Sequence, residues 1–350
     1  MPSDPVSIAR KTEQWFRRHR RALPWRETYD SYHVWLSEVM LQQTRMEVVL
    51  GYYARFLSRF PTLHALAAAP EEEVLAAWSG LGYYRRARML REGAIAVVSR
   101  FGGKVPARID QLLTIPGIGR YTAGAIASIA HRKRAPIVDG NVARVLARLF
   151  LVREPPLREA WLRAEELVGA CRDPRDFNQG LMELGALICK PIHPLCDVCP
   201  LRAQCAAFEA NAVDEVPVRE PRKETRALSI PLYLITDETG RILMRRESGE
   251  LMKAMFHLPH GNSALLDAPP LEADARRLLG TFRHTVTTRR IEFSLYAAEL
   301  AHVPREYTWI DPAAMADVPH PSYVRKALRL RGVILNSEDC EGSVPISRRA

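Results

Sequence analysis

The chain has 350 residues and a mass of 39.6 kDa. Its 47% hydrophobic and 26% charged residues suit two ordinary globular domains and exclude a fibre, a low-complexity chain or a wholly disordered one. Net charge is +10, of which residues 1–225 hold +8, so the front of the chain is expected to face a polyanion, with Arg supplying all but seven of the 50 basic residues.

At the N-terminus Arg10, Lys11 and Glu13 interrupt any apolar signal core, and no apolar stretch reaches the roughly 18 residues that cross a bilayer. Neither export nor a membrane anchor is expected, and a cytoplasmic location is. Residues 5–210 read as helix after helix, with apolar positions at helical spacing over 34–50, 63–69, 71–79, 84–100, 120–131 and 142–150. A stretch with mixed charges, Pro217 and Pro221 reads as a linker ending at Ser229. Beyond it the period changes to that of strands over 230–235, 241–244 and 291–297. The turn Asp237-Glu238-Thr239-Gly240 makes the first two a hairpin, and 272–279 has a helical pattern. The expected division is a helical domain over 1–215, a linker over 216–229, an α+β domain over 230–335 and a mobile polar tail over 336–350.

Four groups of residues carry chemistry. In Thr114-Ile115-Pro116-Gly117-Ile118-Gly119, Gly117 and Gly119 either let backbone N–H groups approach a phosphate at the start of the next helix or form an ordinary tight turn. Asp139, just before the helix at Val142, either caps that helix or remains an anion, favoured by the helix N-terminus, that can face developing positive charge. Glu38 lies among apolar residues. If that helix is buried rather than a solvated face, its pKa rises into the range where a carboxyl donates a proton. One carboxyl kept protonated and one kept ionised is the usual pairing for cleaving a glycosidic bond through an oxocarbenium-like state. Finally, Cys189, Cys196, Cys199 and Cys205 fall within 17 residues, and in a reducing compartment they hold zinc or an iron–sulfur cluster rather than disulfides. Leu187, Ile188, Leu195, Val198 and Leu201 are expected to shield an inorganic core there.

Leu23-Pro24-Trp25-Arg26, Trp35 to Thr44, Gly80-Leu81-Gly82-Tyr83-Tyr84, Pro116-Gly117-Ile118-Gly119-Arg120-Tyr121, Val138 to Asn141, Phe177-Asn178-Gln179 and the four cysteines together resemble the bacterial MutY adenine DNA glycosylases. The resemblance runs almost continuously from residue 8 to 210. It implies a mainly α, helix-hairpin-helix glycosylase fold of two helical subdomains, with a [4Fe–4S] cluster on Cys189, Cys196, Cys199 and Cys205. The partner it implies is double-stranded DNA with adenine mispaired with 8-oxoguanine or guanine, bound by a monomer. The reaction is base excision repair by base flipping and N-glycosidic hydrolysis, leaving an abasic site, with little or no lyase activity. By the same resemblance Glu38 protonates the adenine and Asp139 stabilises the sugar cation. Tyr121 and Asn141 assist Asp139, and Trp25, Arg26 and Gln179 line the adenine pocket. Gln43 and Tyr83, with Leu41 beside them, fill the gap left by the flipped base.

The α+β domain resembles, more weakly, the MutT-like (Nudix-like) lesion-recognition domain of that family, without the Glu-rich helix that would hold Mg²⁺. Val286, Thr287 and Thr288 stand where many members carry a Phe-Ser-His loop. Thr287 is expected to offer its hydroxyl to the lesion, with Thr288 beside it, while His284 reads as an ordinary hairpin residue. Two alternatives are weaker. An endonuclease III-like glycosylase/lyase for oxidised pyrimidines needs a Schiff-base Lys where Tyr121 stands. A non-catalytic iron–sulfur DNA-binding protein has no use for both carboxylates.

Overall fold

Aspartates set the starts of the helices that matter most. Asp4, Asp30, Asp139 and Asp173 each accept backbone N–H groups from the first turn of the helix that follows, satisfying donors that have no partner within the helix. The structure, a computed structural model, describes residues 4–153, 157–218, 225–249, 252–263, 269–286, 288–330 and 332. The helices are, in order, α1 (Pro5–His19), α2 (Ser31–Leu41), α3 (Met46–Arg59), α4 (Leu63–Ala68), α5 (Glu71–Trp78), α6 (Arg85–Phe101), α7 (Ile109–Leu112), α8 (Arg120–Ala125), α9 (Gly140–Leu149), α10 (Leu157–Ala170), α11 (Pro174–Leu187) and α12 (Ala206–Glu209). After them come β1 (Arg226–Leu234), β2 (Ile242–Arg246), β3 (Phe256–His257), β4 (Asp274–Val286), β5 (Arg289–Glu299), β6 (Tyr307–Ile310) and α13 (Ser322–Arg329). None of the helices described is long and apolar enough to cross a membrane.

The chain gathers into two compact units, each built from two stretches: Met1–Gln42 with Glu92–Pro221, and Gln43–Arg91 with Arg222–Ala350. In the first unit α1 packs along α10 and α11, and α9 packs on α11, around a core that includes Phe16, Leu146, Phe177 and Leu181. Helix α2 packs on α8 and on the π-helical turn Ile126–Ala130 that continues it. Because α2 is apolar nearly all round, its middle residues from Val34 to Met40 are all buried, including Ser37 and Glu38. The second unit pairs α3 and α5, where Phe56 meets Trp78 edge-on at 5.7 Å, and contains two three-stranded sheets of order β1-β5-β4 and β3-β2-β6. In β1 the buried residues Ile230, Leu232 and Leu234 alternate with less buried neighbours, the period of a strand with one face in a core. Tyr323 of α13 stacks on Phe293 of β5 at 4.7 Å.

The helical and strand-bearing regions agree with the fold class read from the sequence, and four local expectations do not. The pattern over 34–50 breaks into α2 and α3, because Gln43 adopts φ 56° between them. The Asp237–Gly240 turn forms, with Asp237 accepting from the Thr239 and Arg241 amides, but β1 and β2 then part into different sheets and share only a single bridge between Thr236 and Ile242. Residues 274–279 belong to β4 rather than to a helix, since pairing with β5 outweighs the local helical preference of Glu, Ala, Arg and Leu. The linker expectation fails at both ends: Val216 is buried against Ala147 and Ala212, and β1 already begins at Arg226. The tail over 336–350 lies outside the described residues.

Candidate active site

Glu38 is the centre of a polar site in the first unit. Its carboxyl is 6% exposed and accepts a 2.5 Å hydrogen bond from the Tyr121 hydroxyl, which also lies 3.6 Å from the sulfur of Met182. Burial pushes the Glu38 pKa up to about 7. The Tyr121 bond and the charge of Arg26 oppose that rise, while the charge of Asp139 adds to it. The carboxyl is thus poised to hold and release a proton near neutrality. Burial, and after it the charges of Glu38 and Asp139, raise the pKa of Tyr121 well above the usual value.

Asp139 is the N-cap of α9. One of its oxygens accepts from the Val142 amide at 2.7 Å, and the other accepts from the Asn141 side chain at 3.2 Å. Burial raises its pKa above the ordinary value, while the Val142 and Asn141 bonds and Arg144 pull it down. The cap therefore favours the anion, as expected from the helix N-terminus, but desolvation outweighs it. A positive charge brought to this carboxylate would supply the missing counterion. Arg144 fixes the assembly from behind, donating to Asn141 Oδ1, to the Gly185 carbonyl and to the Cys189 carbonyl, each at 2.8 Å. Gly185 is there of necessity: a Cβ on it would come within 2.6 Å of the Asn141 Cβ, so any side chain would push α11 away from α9.

Arg26 lies on the turn Pro24–Arg26 and donates to Gln179 Oε1 and to Glu183, each at 2.9 Å. Arg21 joins Glu183 at 2.8 Å. Burial alone would raise the Glu183 pKa, but these two guanidiniums lower it to about 2. Trp25 is buried in the same turn. In the hairpin, Gly117 has φ 78° and requires glycine's freedom. Gly119 is the extended N-cap of α8, and a Cβ there would meet open space, so its backbone is accessible.

The structure thus joins Glu38, Tyr121, Asp139 and Asn141, and ties Arg26 to Gln179. The Tyr121 hydroxyl donates to Glu38, while the Asp139 oxygens accept from Asn141 and the Val142 amide. Glu183, Arg21 and Gly185 were not foreseen; a lone acidic residue among apolar neighbours in α11 was the available signal for Glu183. Leu41 ends α2, half-buried. Gln43 and Tyr83 belong to the second unit, exposed and both in the left-handed region at φ 56° and 50°. Thr288 is exposed in the β4–β5 turn, its carbonyl accepting from Arg226, and Thr287 lies outside the described residues. His284 pairs within the β4–β5 ladder, as an ordinary hairpin residue does.

The four cysteines line one cavity with Ile188, Phe208 and Arg148. Arg148 is 3% exposed, reaches the Cys189 sulfur at 3.4 Å and donates to the Lys190 carbonyl at 2.7 Å. Burial raises the pKa of the Cys199 thiol to about 11 and moves those of Cys196 and Cys205 in the same direction. Shielding is narrower than expected: Leu201 is buried and Leu187 and Ile188 pack on the core, but Leu195 and Val198 face solvent. Among the described residues, no three His, Cys, Asp or Glu side chains stand at the spacing of a single-ion site.

Residues 36–169 match the HhH-GPD superfamily base excision DNA repair protein family. The adenine DNA glycosylase of Rattus norvegicus is 45% identical over 221 residues, 59% of this chain and 43% of that protein. That of Buchnera aphidicola subsp. Acyrthosiphon pisum (strain APS) is 33% identical over 250 residues, 70% of this chain and 71% of that protein. The matched region thus spans less than half of the mammalian relatives and over two thirds of the Buchnera one. Among solved structures, a thermostable thymine-DNA glycosylase superposes with a TM-score of 0.54 at 31% identity, covering 59% of this chain and 97% of that one.

Proposed function

Because this chain belongs to the adenine DNA glycosylase family, we propose that it excises adenine opposite 8-oxoguanine or guanine in double-stranded DNA, hydrolysing the N-glycosidic bond to leave an abasic site. The observation that carries the reading is the pairing of a buried Glu38, protonatable near pH 7, with a capped Asp139 whose charge it feels.

A purine is a poor leaving group until a ring nitrogen is protonated. Glu38 supplies that proton, and Tyr121 holds its carboxyl in place. As the bond to deoxyribose stretches, positive charge develops on the sugar, and Asp139 faces it with Asn141 fixing the carboxylate. The cost of keeping Asp139 buried is lowest when that cation is present, so its stabilisation is concentrated in the transition state. Trp25, Arg26 and Gln179 form the wall that orients the base, with Glu183 neutralising Arg26. Water completes the hydrolysis.

Gln43 and Tyr83 enter the space vacated by the flipped adenine, with Leu41 in support. The Gly117–Gly119 hairpin offers backbone N–H groups to a phosphate. Thr288, exposed between β4 and β5, and Thr287 are the residues offered to the base opposite adenine. With Tyr121 in place of an amine, no Schiff base forms, and the enzyme is a glycosylase with little or no lyase activity. Cys189, Cys196, Cys199 and Cys205 would hold a [4Fe–4S] cluster. Their common cavity, flanked by the buried Arg148, suits a bulky anionic group ligated at its corners. When bound, that group would supply an inorganic crosslink, and Arg144 ties the Cys189 carbonyl and Arg148 the Lys190 carbonyl to α9. The protein acts as a cytoplasmic monomer.

The test is a single-turnover assay on duplexes bearing adenine opposite 8-oxoguanine, guanine, cytosine or thymine. Strand breaks that need alkali and occur only with the first two substrates are expected. Breaks without alkali, or no adenine released from any duplex, overturn the proposal.

A further inference from the structure

Tyr83 presents a 45% exposed ring from the left-handed region, a costly conformation for a tyrosine that its surroundings must maintain. The neighbouring residues of the second unit do this. Gly80 and Gly82, at φ 104° and 73°, shape the turn. The Ser79 carbonyl accepts from the Tyr52 hydroxyl at 3.0 Å and from Arg325 of α13 at 3.4 Å. Tyr84 turns inward to 7% exposure, and its hydroxyl donates to the His320 carbonyl at 3.2 Å. The His320 amide donates to Ser79 Oγ at 3.1 Å. The residues on either side of Tyr83 are therefore anchored to the segment that starts α13.

The same segment reaches the other way. Ser322 Oγ lies 3.3 Å from Nε2 of His284 on β4, and the ring of Tyr323 lies 6.2 Å from that of His284. Lys326 donates to the Arg283 carbonyl at 3.3 Å. β4 ends two residues past His284, where the chain turns into β5. Hydrogen bonds thus tie His284 and Arg283 of β4 to Ser322 and Lys326, and tie Tyr84, the neighbour of Tyr83 in the chain, to His320 in the same segment.

We infer that Tyr84 and Ser322 are positioning residues that couple the β4–β5 turn to Tyr83, so that the base met by the turn governs how readily Tyr83 enters the helix. This rests on the adenine glycosylase reading, in which the turn faces the base opposite adenine and Tyr83 replaces stacking. Two of these contacts are the ones a single atom can cut, His284 to Ser322 Oγ and the Tyr84 hydroxyl to the His320 carbonyl. Cutting either one should weaken the coupling of the turn to the wedge without touching DNA or the acid site.

The experiment uses full-length protein and duplexes in which 2-aminopurine, whose fluorescence rises on unstacking, replaces the target adenine opposite 8-oxoguanine or guanine. Wild type is expected to flip the base more readily in the first duplex. Tyr84→Phe keeps the ring and deletes the hydroxyl. It should lower flipping opposite 8-oxoguanine about fivefold, the effect of one lost hydrogen bond, with little change opposite guanine and unchanged duplex affinity. Ser322→Ala removes only the link to His284 and should do the same. Combined with His284→Ala it should cost no more than either change alone, because both cut one path. Variants that flip both duplexes as wild type does, or lose flipping equally on both, overturn the coupling. If wild type itself releases no adenine from either adenine-bearing duplex, the glycosylase reading falls first and the coupling with it.

Discussion

Glu38 on α2 and Glu183 on α11 are glutamates of the same unit, 6% and 2% exposed, and yet the carboxyl of one is pushed up to about 7 and that of the other down to about 2. Burial pushes both upward. Around Glu38 the opposing partner is a neutral phenol, and the nearby Asp139 adds to the rise. Around Glu183 two guanidiniums lie within 3 Å, and they reverse the sign. Depth therefore sets how much is at stake, and the partner decides which protonation state wins. Arg26 makes the contrast possible at short range: it touches Glu183 and Gln179 directly and acts on Glu38 only through its charge. The pocket gains a cationic wall without losing its acid.

The largest way to break this contrast is Glu38→Gln, which deletes the proton donor and leaves the Arg26–Glu183 wall intact. Adenine release should fall about 1,000-fold in a single-turnover assay, with duplex affinity unchanged. Glu183→Gln attacks the other half. It leaves the Arg26 guanidinium, 9% exposed, without its counterion, and should cost about 3 kcal/mol in denaturant unfolding. Glu38→Gln also tests the raised pKa through stability. The folded state binds the Glu38 proton more tightly than the unfolded chain, so the penalty is absent below about pH 4.5, grows as pH rises and is complete above about 7. Relative to wild type the variant should gain up to about 3 kcal/mol at pH 8 and little at pH 4.5. An equal effect at both pH values would show that the carboxyl titrates normally.

The parts of this site written into short stretches of sequence were legible. The apolar run from Val34 to Met40 made a buried Glu38 one of two open readings, the one the structure shows, and Asp139 followed by a clean amphipathic helix announced a cap. The four cysteines declared themselves by spacing. What could not be read depended on partners distant in the chain. Nothing near Tyr121 says that its hydroxyl meets a carboxylate 83 residues earlier, and nothing near Glu183 points to Arg21 and Arg26 across more than 150 residues. Periodicity failed where pairing decides. Residues 274–279 carry a helical composition and become the start of β4 because β5 offers them a ladder. The resemblance to known glycosylases assigns both Tyr121 and Asn141 to Asp139, whereas Asn141 donates to Asp139 and the Tyr121 hydroxyl donates to Glu38.

Tyr121→Phe separates those two assignments with the smallest change of all, a single oxygen. In the structure the phenol donates to Glu38 and stabilises its charged form. Without it the Glu38 pKa should rise further, and the alkaline limb of adenine release, set by loss of the Glu38 proton, should move upward by about one pH unit. The plateau rate should fall only several-fold, because the acid is still present but less firmly oriented. If Tyr121 instead worked through Asp139, the plateau would drop while the limb stayed near 7, since the Asp139 carboxylate is not the group whose proton is lost there. A pH profile of the variant from pH 5 to 9 distinguishes a phenol that tunes the acid from one that steadies the anion.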